Sequence, residues 1–296
     1  MLNRDVLILG ALGQVGSALK RSAPAWAQVT ALSRHDVDFS QPSQLRAILS
    51  DLKPKVIINA AAYTAVDKAE TNADLAQAVN CVAVGAIAEA AQRLGAFLVH
   101  YSTDYVFDGK KSTPYEPIDQ RNPISVYGKS KSDGEDQITS RMTTKSFLLL
   151  RTQWVHSPGS QNFVATILRA SANQKPLRIV ADQVGTPTAA SDIAATTWSA
   201  IDKGVFGTHH LTNAGAGTWF DFAYEILQFE KDLFPDRKSI PLQAIKTEEY
   251  PLPAARPRMA LLDKSSLWNA ISSQTTHWRD SFRSSWRSHI ANSKSV

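Results

Sequence analysis

Asp5-Val6-Leu7-Ile8-Leu9-Gly10-Ala11-Leu12-Gly13-Gln14-Val15-Gly16 decides the fold: a short apolar run, a glycine-rich turn, then an amphipathic segment to about Arg21. The order is strand, turn, helix. Glycines at such a turn allow close approach of the backbone, so that a pyrophosphate can rest on the free N–H groups of the helix start. Gly10, Gly13, Gln14, Val15 and Gly16 are therefore candidate contacts for a dinucleotide. The spacing G-x-x-G-x-x-G is looser than G-x-G-x-x-G, and its weight comes from its place straight after the first strand.

The same alternation continues downstream. Gln28 to Leu32 reads as a strand, Pro42 to Leu52 as a helix, Lys55 to Ile58 as a buried strand, and Val66 to about Leu94 as helical, closed by Gly95. Ala96 to Val99 starts a fourth strand, and Ser146 to Leu150 a fifth. Alternation of this kind predicts an α/β fold, a doubly wound parallel sheet that is Rossmann-like. Ligands bind such sheets beyond the carboxyl ends of the strands, where Gly10, Ala60 and Ser102 fall. Residues 1–151 read as a dinucleotide-binding domain. Past them the pattern loosens, and 152–296 reads as a smaller C-terminal substrate-binding lobe that returns in part to the sheet.

Ser33-Arg34 stands at the end of the second strand, where an acidic residue would hold the ribose of NAD. A hydroxyl and a guanidinium suit a 2′-phosphate instead, which points to NADPH, with NADH the alternative and an exposed loop arginine the plainer reading. Asp38 and Phe39 follow at the adenosine side. In Asn59-Ala60-Ala61-Ala62-Tyr63-Thr64, three alanines at the carboxyl end of a strand leave room for a cofactor against the backbone.

Two further stretches carry the chemistry. His100-Tyr101-Ser102-Thr103-Asp104-Tyr105-Val106-Phe107-Asp108-Gly109 puts hydroxyl side chains where the fourth strand ends, and Tyr127-Gly128-Lys129-Ser130-Lys131, in a helix opened by Pro123, puts a phenol and an ammonium one turn apart on one face. A lysine beside a tyrosine favours the phenolate and lowers its pKa. With Ser102 or Thr103 hydrogen-bonding a substrate oxygen, the set suits a carbonyl that gains a proton while a cofactor supplies hydride. Many Tyr-x-x-x-Lys pairs only decorate a solvated helix face, so the weight lies in the company this one keeps.

Composition bounds the rest. The 296 residues are 43% hydrophobic and 20% charged, ordinary for a globular protein. A single cysteine, Cys81, excludes a disulfide framework and a cysteine metal cluster. Neither a membrane-length apolar run nor a signal-peptide layout stands out, so a cytoplasmic protein is expected. The net charge of +5 is concentrated: from Gln274 on, Arg279, Arg283, Arg287 and Lys294 face Asp280 alone, net +3, leaving +2 elsewhere. A body so near neutrality offers no footprint for nucleic acid. Trp278, Phe282, Trp286 and Ile290 recur at spacing four beside the arginines, which suits a helix docked on its own domain, with a membrane-surface or partner helix as the other reading.

The glycine motif, the Ser-Thr strand end and the Tyr-x-x-x-Lys together resemble the extended short-chain dehydrogenase/reductase superfamily, and within it the dTDP-4-dehydrorhamnose reductase family. The resembling segments are GQVG (13–16), NAAAYTAVD (59–67), HYSTDYVFDG (100–109), Asn122-Pro123, VYGKSK (126–131), Gly134-Glu135, RTQWV (151–155), Asn162-Phe163 and DQVGTPT (182–188), in the family's order. The resemblance implies a cytoplasmic NADPH-dependent oxidoreductase that reduces the C4 keto group of dTDP-4-dehydro-6-deoxy-L-mannose to dTDP-L-rhamnose. It implies that Tyr127 protonates the C4 oxygen, that Lys131 lowers the tyrosine's pKa and holds the nicotinamide ribose, and that Thr103 hydrogen-bonds the same oxygen. Gly13, Gln14 and Val15 would hold the pyrophosphate, with Ser33, Asp38 and Phe39 near the adenosine. Ala62, Tyr63, Thr64 and Tyr101 would line the nicotinamide side. Asp104, Tyr105 and Trp154 would meet the sugar, and Arg256 the nucleotide phosphates.

Departures from the family pattern carry expectations too. In Arg256-Pro257-Arg258-Met259-Ala260-Leu261-Leu262 the family's serine is Ala260, which puts one substrate contact in doubt. Ala190-Ser191-Asp192 stands where some relatives place a glutamate on a dimer-bridging magnesium, so no metal and a monomer or weak homodimer are expected. Two rival readings remain at this stage: a nucleotide-sugar epimerase or dehydratase of the same superfamily, retaining NAD, and a non-catalytic NADP-binding regulatory subunit.

Overall fold

Val6, Leu7, Ile8 and Leu9 are each at most 1% exposed, as a strand covered on both faces requires. They form most of β1 (Arg4–Leu9) in the computed structural model, which describes residues 4–292. β2 (Ala27–Leu32), β3 (Val56–Asn59), β4 (Phe97–Thr103), β5 (Phe147–Thr152) and, from far along the chain, the returning β10 (Gly207–His210) complete a parallel sheet. The order β10-β5-β4-β3-β1-β2 reverses the winding direction at β1, so a crevice opens between the carboxyl ends of β1 and β3.

Strand alternation divides the core. Val6, Ile8, Ile58, Val99 and Leu150 face one side, under α1 (Gln14–Arg21) and α8 (Ala190–Asp202). Leu7, Leu9, Ile57, Leu98 and Leu149 face the other, under α2 (Pro42–Leu52), α5 (Ala83–Leu94) and α6 (Val126–Thr139).

Two local expectations need correction. The segment expected to be helical from Val66 is α3 (Val66–Ala69), a turn, then α4 (Ala73–Gln77) running through a π-turn at Ala78–Val82 into α5. Ala73–Leu94 is long and apolar enough to cross a membrane, 22 residues at mean hydropathy 1.2, yet Ala83 to Ala91 supply much of the sheet's second core. Pro123 does not open α6. Ser125 caps it, its hydroxyl accepting the Gly128 N–H at 3.1 Å, while Glu70 accepts the Val126 N–H at 2.9 Å.

Beyond β5 the chain weaves between layers. β6 (Val155–His156) pairs with β9 (Thr188–Ala189), β7 (Leu177–Val180) with β12 (Leu242–Ile245), and β8 (Val184–Gly185) with β11 (Gly217–Thr218). α10 (Ser265–Ile271) returns to pack on the sheet through Leu267 and Ile271. α7 (Phe163–Ala172), α9 (Trp219–Leu233) and α11 (Trp278–Asn292) enclose a separate core, and α11 gives it Trp278, Phe282, Trp286 and Ile290, all 5% exposed or less. Its basic stripe answers an acidic neighbour: Arg279 and Arg283 reach Glu225 of α9 at 3.3 and 2.6 Å, and Arg283 reaches Asp232 at 2.8 Å. The helix docks on its own domain, and two of its arginines are paired there.

Truncating the centre of this interface should be costly. Phe282→Ala is expected to destabilise the protein by about 3–5 kcal/mol in urea unfolding, while Arg287→Ala, at an exposed position of the same helix, should move stability little. Equal effects would show that α11 does not dock as described.

Candidate active site

A cleft of about 490 Å³ opens where β1 and β3 end. Gly10, Gly13, Ser33, Arg34, Asp38, Phe39, Ala60, Ala61, Ala62 and Tyr63 line it, ten of the residues singled out for a cofactor. Gly10 has φ +84°, and a β-carbon there would sit 2.6 Å from the Ala61 nitrogen. One at Gly16 would sit 2.2 Å from the Gly10 carbonyl oxygen. The strand-to-helix turn is thus bare backbone, and α1 begins with N–H groups of Gln14, Val15 and Gly16 that have no intrahelical acceptor. The cradle fits a dinucleotide's pyrophosphate.

Several side chains act differently from expectation. Gln14 spends its amide on β6 and the start of α7, donating to the Val155 carbonyl at 3.3 Å and accepting from Asn162 at 2.9 Å, so only its backbone faces the cradle. Val15 packs into the core under α1. Ser33 donates its hydroxyl to Asp36 at 2.8 Å, and Asp38 accepts from the Ser40 N–H and hydroxyl, bonds that hold both carboxyls below their ordinary range. Thr64 is exposed and does not line the cleft. Tyr101 turns its ring into the core under α8, its hydroxyl 2.7 Å from Thr197 Oγ1; strand alternation sends it away from α6, and only its carbonyl faces Lys131.

Leu12, Ser40, Leu75 and Val79 also line the cleft and escaped the sequence reading. Leu12 alone had a signal there, an apolar residue inside the glycine turn, and it is 66% exposed. Asn80, in the π-turn, was missed as well. It accepts the Tyr63 N–H at 2.9 Å and donates to the Tyr63 carbonyl and to Ser130 of α6, both at 3.0 Å, fixing the alanine loop to the reactive helix.

Tyr127 and Lys131 are both buried on α6. Burial pushes the Tyr127 phenol up to about 12, opposed by the neighbouring Thr103 hydroxyl. Lys131 does not lower it, contrary to expectation, because the ammonium is directed at β4: Nζ donates to the Tyr101 carbonyl at 2.7 Å and lies 3.2 Å from His100 Nε2. Burial brings Lys131 itself down to about 8. The Ser102 hydroxyl donates to buried Glu135 at 2.5 Å. Thr103 is the hydroxyl beside the phenol.

Around this pair lie the residues expected to meet a sugar. Asp104 is buried, which raises its carboxyl to about 7, and it accepts from the Thr103 hydroxyl at 3.0 Å. Gln153, its amide nitrogen turned toward them, donates to Asp104 at 3.2 Å and to the Ala260 carbonyl at 3.3 Å. The Tyr105 ring meets Tyr127 edge-on, centroids 5.4 Å apart. Trp154 has φ +47°, unusual for a side chain of its size, and stacks on Trp219 at 3.7 Å. Arg256 sits beside Tyr105, but its guanidinium is taken by Asp67, with bonds of 3.0 and 2.7 Å.

Residues 4–289 match the family model described as RmlD substrate binding domain. The chain is 40% identical over 286 residues to the dTDP-4-dehydrorhamnose reductase of Burkholderia thailandensis, 93% of this chain and 95% of that one. It is 39% identical over 262 residues to that of Salmonella typhimurium, 86% and 87% of the two. The crystal structure of the Bacillus anthracis dTDP-4-dehydrorhamnose reductase in complex with NADP superposes with a TM-score of 0.90 at 29% identity, covering 97% of this chain and 100% of that one. The UDP-glucose 4-epimerase of Thermus thermophilus, in complex with NAD, shares the fold at a TM-score of 0.81 and 18% identity, over 99% and 100% of the chains. Matched from residue 4 to residue 289, with relatives near 40% identical over most of both sequences, the chain belongs to the dTDP-4-dehydrorhamnose reductase family.

Proposed function

We propose that the protein reduces the C4 keto group of dTDP-4-dehydro-6-deoxy-L-mannose (dTDP-4-dehydro-β-L-rhamnose) to give dTDP-L-rhamnose, using NADPH, with Tyr127 as the proton donor. The observation that carries this reading is the buried set of Thr103, Tyr127 and Lys131 beside a backbone cradle, in a chain of this family. The NADP held by the Bacillus anthracis relative supports the cofactor. Arg34 supports the phosphorylated form: it lines the cleft, and among the described residues no carboxylate pairs with it.

When bound, NADPH would supply the hydride. Gly10, Gly13 and the first N–H groups of α1 would hold its pyrophosphate, Arg34 its 2′-phosphate, and the alanines of 60–62 would leave the surface on which it lies. Tyr127 keeps its proton at neutral pH, so the phenol is in the form that can hand it to an oxygen becoming an alkoxide. Thr103 would hold that oxygen against the phenol, and Asp104, Tyr105 and Trp154 would orient the sugar. The chain supplies alignment, exclusion of water and the proton.

We further propose that it works in the cytoplasm as a monomer or weak homodimer. In the stretch Ala190-Ser191-Asp192, where the resemblance would place a metal-bridging glutamate, the one carboxylate, Asp192, is taken up internally by Asn213 and by Ser281.

Reduction followed by loss of NADPH absorbance, with the keto sugar made in situ, tests the assignment. Tyr127→Phe should lower kcat by about a hundredfold or more while NADPH binding is retained. No turnover by a folded, cofactor-binding wild type would sink the reading. The pH profile tests Lys131 separately. Its charged form is present below the lowered pKa and lost above it, so kcat/KM should fall as pH rises through about 8. A profile that stays flat up to the range of an ordinary lysine would remove Lys131 from the mechanism.

A further inference from the structure

His100 is 1% exposed and stands directly behind Lys131, with Nε2 3.2 Å from Nζ. On its other side Nδ1 lies 3.1 Å from Asn59 Nδ2, its neighbour across the β3–β4 pairing. The Asn59 carbonyl oxygen accepts the Ala61 N–H at 3.2 Å. That bond fixes which way the asparagine amide points.

The donor inventory of these groups has one full solution. A neutral imidazole has one N–H and one lone pair. Asn59 offers its NH₂ to Nδ1, so Nδ1 accepts and Nε2 carries the hydrogen, aimed at Lys131. An ammonium has only donors to offer in return, whereas a neutral amine has a lone pair. The shell is therefore satisfied when Lys131 has given up a proton and sets donor against donor when it has not. Protonating His100 would add a second clash, against Asn59, and both burial and Lys131 oppose it.

We propose that His100 is a positioning residue: oriented by Asn59, it lowers the pH at which Lys131 gives up its proton. This rests on the function proposed above. Loss of that proton leaves Lys131 a neutral amine whose lone pair receives the His100 Nε2–H, while another N–H stays on the Tyr101 carbonyl. Lys131 is the charged group acting on His100. One turn further along α6, Glu135 favours the charged lysine, but its carboxylate is already shared by Arg151 and Ser102. β3 presents Asn59 and the π-turn Asn80, neither of which titrates.

The test reads Lys131 directly. Protein labelled with ¹³C at the lysine ε-carbons is titrated without cofactor, the Lys131 resonance being the one lost in Lys131→Arg. In His100→Gln the amide oxygen can accept from the ammonium. In Asn59→Asp the carboxylate takes the Nδ1–H, so that Nε2 presents a lone pair. Both changes should raise the Lys131 midpoint by about one pH unit or more, and the alkaline limb of kcat/KM should move with it. If His100→Gln does not fold, Asn59→Ala carries the expectation without adding a charge, since Nδ1 is then free to carry the hydrogen and Nε2 to accept from the ammonium. A midpoint unmoved in a folded variant overturns the inference. A midpoint that moves in a protein with no reductase activity upholds it and overturns the function proposed instead.

Discussion

A single buried carboxylate fixes the reactive helix to the sheet. Glu135, on α6, accepts from Arg151 Nε and Nη2 at 2.9 and 2.7 Å and from Ser102 at 2.5 Å, and Arg121 approaches it at 3.4 Å. Glu135 and Arg151 are 2% and 4% exposed. Charges so deep gain little net stability from their attraction, because removing them from water offsets most of it. Their consequence is registry, since any docking of α6 that separated them would leave a buried charge alone. Arg151 also donates to the Pro117 carbonyl at 3.0 Å, so the loop leading to α6 is held by the same guanidinium.

The same docking sets the surroundings of Lys131. α6 runs antiparallel to β4, as a crossover to the parallel β5 requires, with Tyr127 beside Thr103 at the carboxyl end of the strand. Ser102 meets Glu135, and Lys131, one turn nearer the start of α6, extends its side chain down the strand to His100. Both contacts lie on one face of the strand, and Tyr101, between them, can offer Lys131 only its carbonyl. Lys131 thus owes its position to the ion pair of Glu135 and Arg151, one turn along the helix.

The layout of the sheet was legible because Val6 to Leu9, Ile57, Ile58 and Leu98 to Val99 are apolar on both faces, a pattern few structures other than a covered parallel strand satisfy. The glycine cradle was legible for a similar reason, since Gly10 and Gly16 sit where any β-carbon would collide with backbone. What periodicity cannot tell is the partner across space. It put Ser102 and Thr103 at the strand end but could not say that an acid 33 residues on would claim Ser102. Asn80 reads as an ordinary mid-helix asparagine, and its use depends on a π-turn that offers its amide to Tyr63. Lys131 was read as an influence on Tyr127 from their spacing, while its direction is set by β4, which spacing does not contain.

Arg256 shows the same limit with a consequence for binding. The sequence offered a guanidinium for the nucleotide phosphates, and the fold places it beside Tyr105, whose ring abuts Tyr127. Its Nη1 and Nη2 both bond the Asp67 carboxylate, and Nη1 also donates to the Ala254 carbonyl at 3.0 Å. The pair joins the segment after β12 to α3, so it spans the two sides of the site and braces Tyr105 against the phenol. A phosphate brought to this arginine meets the Asp67 charge as well, which offsets part of the attraction the guanidinium alone would exert. Any separation of Asp67 from Arg256 would therefore strengthen the contact. It would also loosen the brace on Tyr105, which ties an anion at Arg256 to the packing around the Tyr127 phenol.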